Sequence, residues 1–269
     1  MDYPMAYPER IVCLTDETTE TLYLLGEQAR IVGISGYTVR PARARKEKPK
    51  VSAFTSAKID KILALEPDLV LGFSNLQADI AADLIRAGVE VHVFNQRSVE
   101  GILQMIGLLG AMVGVPEKAA ALVAQYRQQL EAVRQNSLKF AKRPTVYFEE
   151  WDEPMISGIR WVSELISIAG GDDCFAELST EHSAKQRIIA DPQEVVRRAP
   201  DIIIGSWCGK KFRPDHLAVR PGWNSIPAVQ KQRVYEIKSC DILQPGPASL
   251  SDGLTQLCRI IDDWQRDFS

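Results

Sequence analysis

Two stretches far apart in the chain follow one pattern: EPDLVLGFSN (66–75) and APDIIIGSWC (199–208). Each opens on Pro-Asp, runs through apolar residues to a glycine, then turns polar and aromatic. Proline stops a preceding helix and sets an extended entry. LVLGF and IIIGS are unbroken apolar runs, the pattern of a strand covered on both faces within a parallel sheet. A chain that carries such an element twice invites a search for the same repeat in its neighbours.

The neighbouring elements repeat in the same order. Strand RIVCL (10–14) leads to helix TETLYLLG (19–26), and TVYFEE (145–150) leads to WVSELISIAGG (161–171). Both helices close on glycine, which accepts the left-handed conformation of a helix C-terminus. ARIVGIS (29–35) and CFAELS (174–179) are read next as strands. Helices KIDKILALE (58–66) and PQEVVRRA (192–199) then precede the Pro-Asp elements. The first copy continues with helix ADIAADLIRAG (78–88), strand VEVHVF (89–94) and a helix over 98–113. The second continues with strand RVYEI (233–237) and a helix over 249–267. Strand–helix alternation occurring twice predicts an α/β fold of two similar βα lobes. Between them, PEKAAALVAQYRQQLEAVRQNSLKF (116–140) has proline in its first turn and strong helix formers throughout, so it reads as one long, stiff joining helix. The expected division is an N-terminal lobe over 1–114, a linker helix over 115–140 and a C-terminal lobe over 141–269. Ligands of parallel sheets sit beyond the carboxyl ends of the strands. GFSN and GSWC are therefore expected on opposite walls of one ligand cleft between the lobes.

Composition removes several function classes. The 269 residues are 45% hydrophobic and 25% charged with a formal net charge of −3, so nothing points to nucleic acid. The longest apolar stretch, ILQMIGLLGAMVGV (102–115), is too short to cross a bilayer and stops at Pro116, which argues against membrane insertion. The opening MDYPMAYPERIVCL lacks a basic region, an apolar core and a small-residue cleavage site. The expected location of the chain as written is cytoplasmic, or periplasmic if an export signal has been removed. Cys13, Cys174, Cys208, Cys240 and Cys258 are odd in number and form no CxxC, so they are read as reduced thiols.

RIVCLTDETTETLYLLG with RIVGISGY, KIDKILALEPDLVLG, the single long helix and SELISIAGG together resemble the helix-linked substrate-binding proteins of ABC importers, receptors for cobalamin, ferric siderophores and haem. GISGY, VSAF ahead of KIDKILAL, and the proline-rich loop CDILQPGP are similar to the cobalamin-binding branch. The resemblance spans nearly the whole chain. It implies a ligand-binding protein rather than an enzyme, with no covalent cofactor, holding a corrinoid or a similarly large metal complex: cobalamin, haem or a ferric siderophore. Carried across position by position, it places Tyr37, Phe54, Phe73, Trp151, Trp207 and Asp241 with Pro247 at the cleft. Aromatic faces of this kind suit a large, flat, partly apolar ligand. Arg40, His182 and Cys208 complete the expected ligand-binding set. Members of the family present a docking glutamate on each lobe to their permease. Here the first position is matched by Ala78, beside Asp79, and GKKFRPDHLAVRPG (209–222) carries Lys210, Lys211, Arg213 and Arg220 without a glutamate. That departure argues against an ABC permease partner and for a cytoplasmic carrier or sensor.

The charged loops leave alternatives open. YTVRPARARKEKPKVSAF (37–54) sets Arg40, Arg43, Arg45, Lys46, Lys48 and Lys50 against Glu47. One reading is an anion clamp built from Arg40 with Lys210 or Lys211; the other is a solvated loop with weak ion pairs. Thr15 as N-cap, followed by Asp16 and Glu17, already answers the positive end of the first helix. EEWDEP adds Glu149, Glu150, Asp152 and Glu153, a mixed charge that suits an amide-rich or zwitterionic ligand or a metal complex. No GxSxG, HExxH or P-loop occurs, so no catalytic residue is assigned. The enzymatic alternative is a chelatase-like protein using His182, Cys208 and the acids at 149–153. His182, Cys208 and Cys240 are the residues a soft metal would choose, although no spacing demands such a site. His92 alternates into a strand and is read as core.

Overall fold

A computed structural model describes residues 7–268. The reading of an absent export signal rests in part on Asp2, which lies outside the described residues. The chain divides into two compact units, Met1–Gln96 with Glu100–Gln125, and Arg97–Val99 with Tyr126–Ser269.

The first unit holds one five-stranded sheet in the order β3-β2-β1-β4-β5. Its strands are β1 (Ile11–Cys13), β2 (Ile31–Ser35), β3 (Lys50–Ser52), β4 (Leu69–Phe73) and β5 (Val91–Phe94). Every neighbouring pair is parallel. Its helices are α1 (Asp16–Leu24), α2 (Ala44–Glu47), α3 (Ile59–Leu63), α4 (Ala78–Arg86) and α5 (Val99–Met112). All five residues of β4 are buried, as their unbroken apolar run predicts. Val12, Leu14, Val51, Ile62, Val70, Ile80 and Leu84 pack as one core cluster. The strand order turns back between β1 and β4, which makes the crevice beyond their C-terminal ends the natural binding position.

Helix α6 (Pro116–Ser137) is the long helix expected from the sequence; it belongs to the first unit through Gln125 and to the second from Tyr126.

The second unit is built on β6 (Thr145–Asp152), β7 (Met155–Ser157), β8 (Asp172–Asp173), β9 (Ile202–Gly205) and β10 (Val234–Glu236), with helices α7 (Arg160–Ala169), α8 (Ala176–Ser179) and α9 (Gln193–Arg198). The order is β10-β9-β6-β7, with β8 pairing β6. Unlike the first sheet, this one has an antiparallel member: β7 folds back on β6, and their register shifts between Glu149 and Trp151. Tyr147, Phe175, Ile203, Trp207, Phe212 and Trp223 belong to one buried cluster. Tyr147 meets Phe175 and Trp223 edge-on at centroid distances of 5.6 and 5.9 Å. Gly205 ends β9 because a Cβ there would lie 1.8 Å from the Phe212 ring. Gly170 closes α7 at φ 96°, the left-handed cap the sequence calls for.

Three local expectations differ from the structure. CFAELS is not a strand: the pairing residues are Asp172 and Asp173, and α8 begins two residues after Cys174. Asp173 accepts a hydrogen bond from the Phe175 amide at 3.0 Å, a side-chain turn that takes the backbone out of the sheet. The loop 37–54 contains α2 and β3 rather than irregular chain. The last helix starts as a π turn over Ser249–Gly253 before Leu254–Gln265 continues as α-helix.

Candidate functional site

In the first unit, the chain leaves β1 into a helix whose first turn is buried and acidic. Asp16 and Glu17 are 6% and 1% exposed. Thr15 sits at the N-cap position, but its hydroxyl donates to Glu17 Oε1 at 2.7 Å instead of capping the helix. Asp16 Oδ1 accepts from the backbone N–H groups of Val39 (2.9 Å) and Arg40 (3.5 Å). Burial pushes both carboxyls up to about 7, against the pull of these donors; Glu20 adds to the rise of both, and Asp16 to that of Glu17. Arg40 Nε donates to Glu20 Oε1 at 2.9 Å. Arg45 donates to the carbonyls of Gly36 and Thr38 at 2.7 and 2.8 Å. The guanidiniums of Arg40 and Arg45 thus tie the 36–45 loop to α1 and to itself. Arg43 reaches Glu47 at 4.0 Å and lies over the Tyr23 ring. Of the two readings of this loop, the geometry supports internal pairing over a free anion clamp.

In the second unit, the end of β6 is an ionic network. Glu149 is fully buried and is gripped by both terminal nitrogens of Arg220 at 2.6 and 3.0 Å. It also accepts from the Tyr147 hydroxyl at 2.9 Å and from Trp207 Nε1 at 3.2 Å. Burial raises the Glu149 carboxyl and the Arg220 guanidinium opposes that rise. Glu150 is held the same way by Arg187, itself 2% exposed, at 2.6 and 3.0 Å. Arg187 also donates to the Ser157 carbonyl. Asp152 pairs with Lys210 at 2.5 Å. Arg213 pairs with Asp215 at 3.0 Å. The basic face expected at 209–222 is therefore largely neutralised, because three of its four cations already hold carboxylates.

The sequence-predicted site residues fall in different settings. Tyr37 is 68% exposed after β2. Phe54 is half-buried after β3, and its carbonyl accepts from the buried Gln77 side chain at 2.9 Å. Phe73 is the buried last residue of β4. Trp207 is 4% exposed and packs edge-on against Phe212, so it is a core ring with one edge on the Glu149 network. Trp151 is half-buried, and Lys210 Nζ lies over both Trp151 and Trp207. Cys208 is exposed. Asp241 is half-buried and accepts from Gln256 at 3.2 Å and from Cys240 Sγ at 3.4 Å. His182 is exposed, and its carbonyl accepts from Arg97 at 3.3 Å. His92 on β5 is half-buried with its ring 4.3 Å from Phe94, and burial lowers its pKa. Trp151 near the end of β6, and Trp207 and Cys208 just after its parallel neighbour β9, lie at the same end of the second sheet. His182, Cys208 and Cys240 do not assemble: among the described residues, no group of three or more His, Cys, Asp or Glu side chains is placed to hold a metal ion.

Sequence reasoning missed the role of Glu149 and did not single out Arg187. A signal was present. VYF (146–148) is continuously apolar, as in a central strand covered on both faces, so a carboxylate extending that run is buried and requires a cation.

The comparisons with known proteins agree with this architecture. The chain is 25% identical over 254 residues to a vitamin B12-binding protein of Vibrio campbellii, covering 93% of this chain and 88% of that one. In fold it is similar to the periplasmic haem-binding protein of Roseiflexus sp. RS-1, with a TM-score of 0.83, 24% identity, and 96% and 99% of the two chains covered. It is also similar to the periplasmic vitamin B12-binding protein of Vibrio cholerae, with a TM-score of 0.76, 23% identity, and 96% and 98% covered. No helix among the described residues is long and apolar enough to cross a membrane. The family profile described as "Periplasmic binding protein" matches residues 11–240, and on that match, carried by paired βα units and a long joining helix, the chain belongs to the periplasmic binding protein family.

Proposed function

We propose that this chain is a non-enzymatic receptor for a corrinoid, held by loops that follow the C-terminal ends of the parallel strands. In the first unit we assign Tyr37 and Phe54 to ligand contact, and in the second Trp151, Cys208 and Asp241; Phe73 and Trp207 are the buried rings at their own strand ends. The carrying observation is one of charge. The family relative that matches 93% of this chain is a vitamin B12-binding protein, and Arg40, Arg45, Arg187, Lys210 and Arg220 of this chain are already committed to carboxylates or carbonyls. Strand-end cations that are already paired internally suit a ligand rimmed by neutral amides better than one recognised through free carboxylates.

The test is a side-by-side titration with cyanocobalamin and haemin, read by the visible spectrum of the ligand and by Tm. Cyanocobalamin at about a hundredfold excess over Kd is expected to raise Tm by roughly 5 °C or more, with haemin giving less. A larger stabilisation by haemin would overturn the corrinoid assignment. Stabilisation by neither ligand would overturn both.

A further inference from the structure

The segment from Ser206 to Gly222 is fastened to β6 at two points of different character. Arg220 is the inner fastening: its guanidinium is bidentate on fully buried Glu149 and lies 4.5 Å from the Trp223 ring centroid. Lys210 is the outer one, with its side chain 45% exposed. Its ammonium lies 2.5 Å from Asp152 Oδ2, 4.9 Å from the Trp207 ring centroid and 5.6 Å from that of Trp151. Two indole faces and a carboxylate around one ammonium are the elements from which proteins build receptors for organic cations. We propose that Trp151, Trp207 and Asp152 form a binding site for an organic ammonium group, filled here by Lys210 as a tethered occupant.

Three further features support a site rather than an ordinary surface pair. Both indole N–H groups are engaged elsewhere, Trp151 with the Glu153 carbonyl at 2.9 Å and Trp207 with Glu149 at 3.2 Å, so the ring faces are fixed. Asp152 is 14% exposed, and its second oxygen, Oδ1, is buried with no hydrogen-bond donor in reach. A primary ammonium carries three donors, so one entering in place of Lys210 can use an acceptor that the tethered lysine leaves idle. Finally, Lys210 follows Gly209, which has φ 74° and open space where a Cβ would point. That residue lets the lysine swing away while Arg220 keeps the rest of the segment in place. The ligand class is therefore a primary alkylammonium, with the indole faces accepting its first methylenes. The site shares Trp151 and Trp207 with the corrinoid reading but does not depend on it, and the two are scored by different titrations.

Intrinsic tryptophan fluorescence tests the proposal, with n-butylammonium chloride as probe and sodium chloride at matched ionic strength as control. In Lys210→Ala, butylammonium is expected to give a saturable fluorescence change absent with sodium. Wild-type protein is expected to bind at least about tenfold more weakly, because its own lysine competes at high effective concentration. Lys210→Met keeps the length of the side chain without its charge and serves if the alanine variant loses its folded circular dichroism. Adding Asp152→Asn to either variant is expected to abolish the saturable response. No saturable change in a folded Lys210 variant would overturn the proposal, as would equal responses in wild type and variant, or a response that survives Asp152→Asn.

Discussion

The two units solve the same electrostatic problem in opposite ways. In the first, Asp16 and Glu17 are buried at the start of α1 and are met by neutral donors: two backbone N–H groups and a threonine hydroxyl. In the second, Glu149 and Glu150 are each met by a bidentate arginine. Neutral donors leave the cost of burying charge largely unanswered, and both first-unit carboxyls rise to about 7. An arginine opposes that rise, and it also makes each partner depend on the other. The first arrangement is sensitive to pH and the second to mutation.

The largest effect expected from this contrast is in the second unit. Arg220→Ala leaves Glu149 charged and unmatched in the core, and should lower stability by about 3–5 kcal/mol in urea denaturation. The double replacement Glu149→Leu with Arg220→Met removes both charges and should recover most of that loss. A double variant no more stable than Arg220→Ala would mean that the aromatic packing around the pair, rather than its charge, is what matters.

A smaller effect, of opposite sign, is expected in the first unit. Carboxyls of ordinary pKa near 4 that sit at about 7 when folded bind more protons folded than unfolded across that interval. Stability contributed by their neutral forms is therefore present at acid pH, declines as pH rises from about 4 to about 7, and is level above. Glu17→Gln should accordingly stabilise the protein by about 2 kcal/mol at pH 8, with the gain fading towards pH 4, as measured by Tm across that range. A gain that does not change with pH would show that the Glu17 carboxyl is not the source. The smallest effect should come from Arg40→Met. Its pair with Glu20 is partly exposed, at 26% and 11%, so the loss should be about 1 kcal/mol or less and should shrink further in high salt.

The fold was legible where chemistry is local. Continuous apolar runs located β4 and β9, glycine located the end of α7, and an unbroken series of helix formers located α6. The site was legible only in part, because its decisive contacts join residues distant in sequence. Glu149 and Arg220 are separated by 71 positions and Glu150 and Arg187 by 37. Nothing in the local pattern around Arg220 distinguishes it from Lys211 as a surface cation. Burial likewise separates Tyr37 from Trp207, which sequence placed together: one follows its strand onto the surface, whereas the other turns inward because Glu149 and Phe212 receive it.

The bare backbone of Gly205 under the Phe212 ring gives position 205 leverage beyond its size. A single methyl there would act as a wedge, lifting the ring from its seat and with it the stretch that delivers both Lys210 and Arg220 to their carboxylates. One hydrogen in place of a side chain thus keeps two distant cations in register with β6, and drift at this one codon would dismantle the network without touching any charged residue.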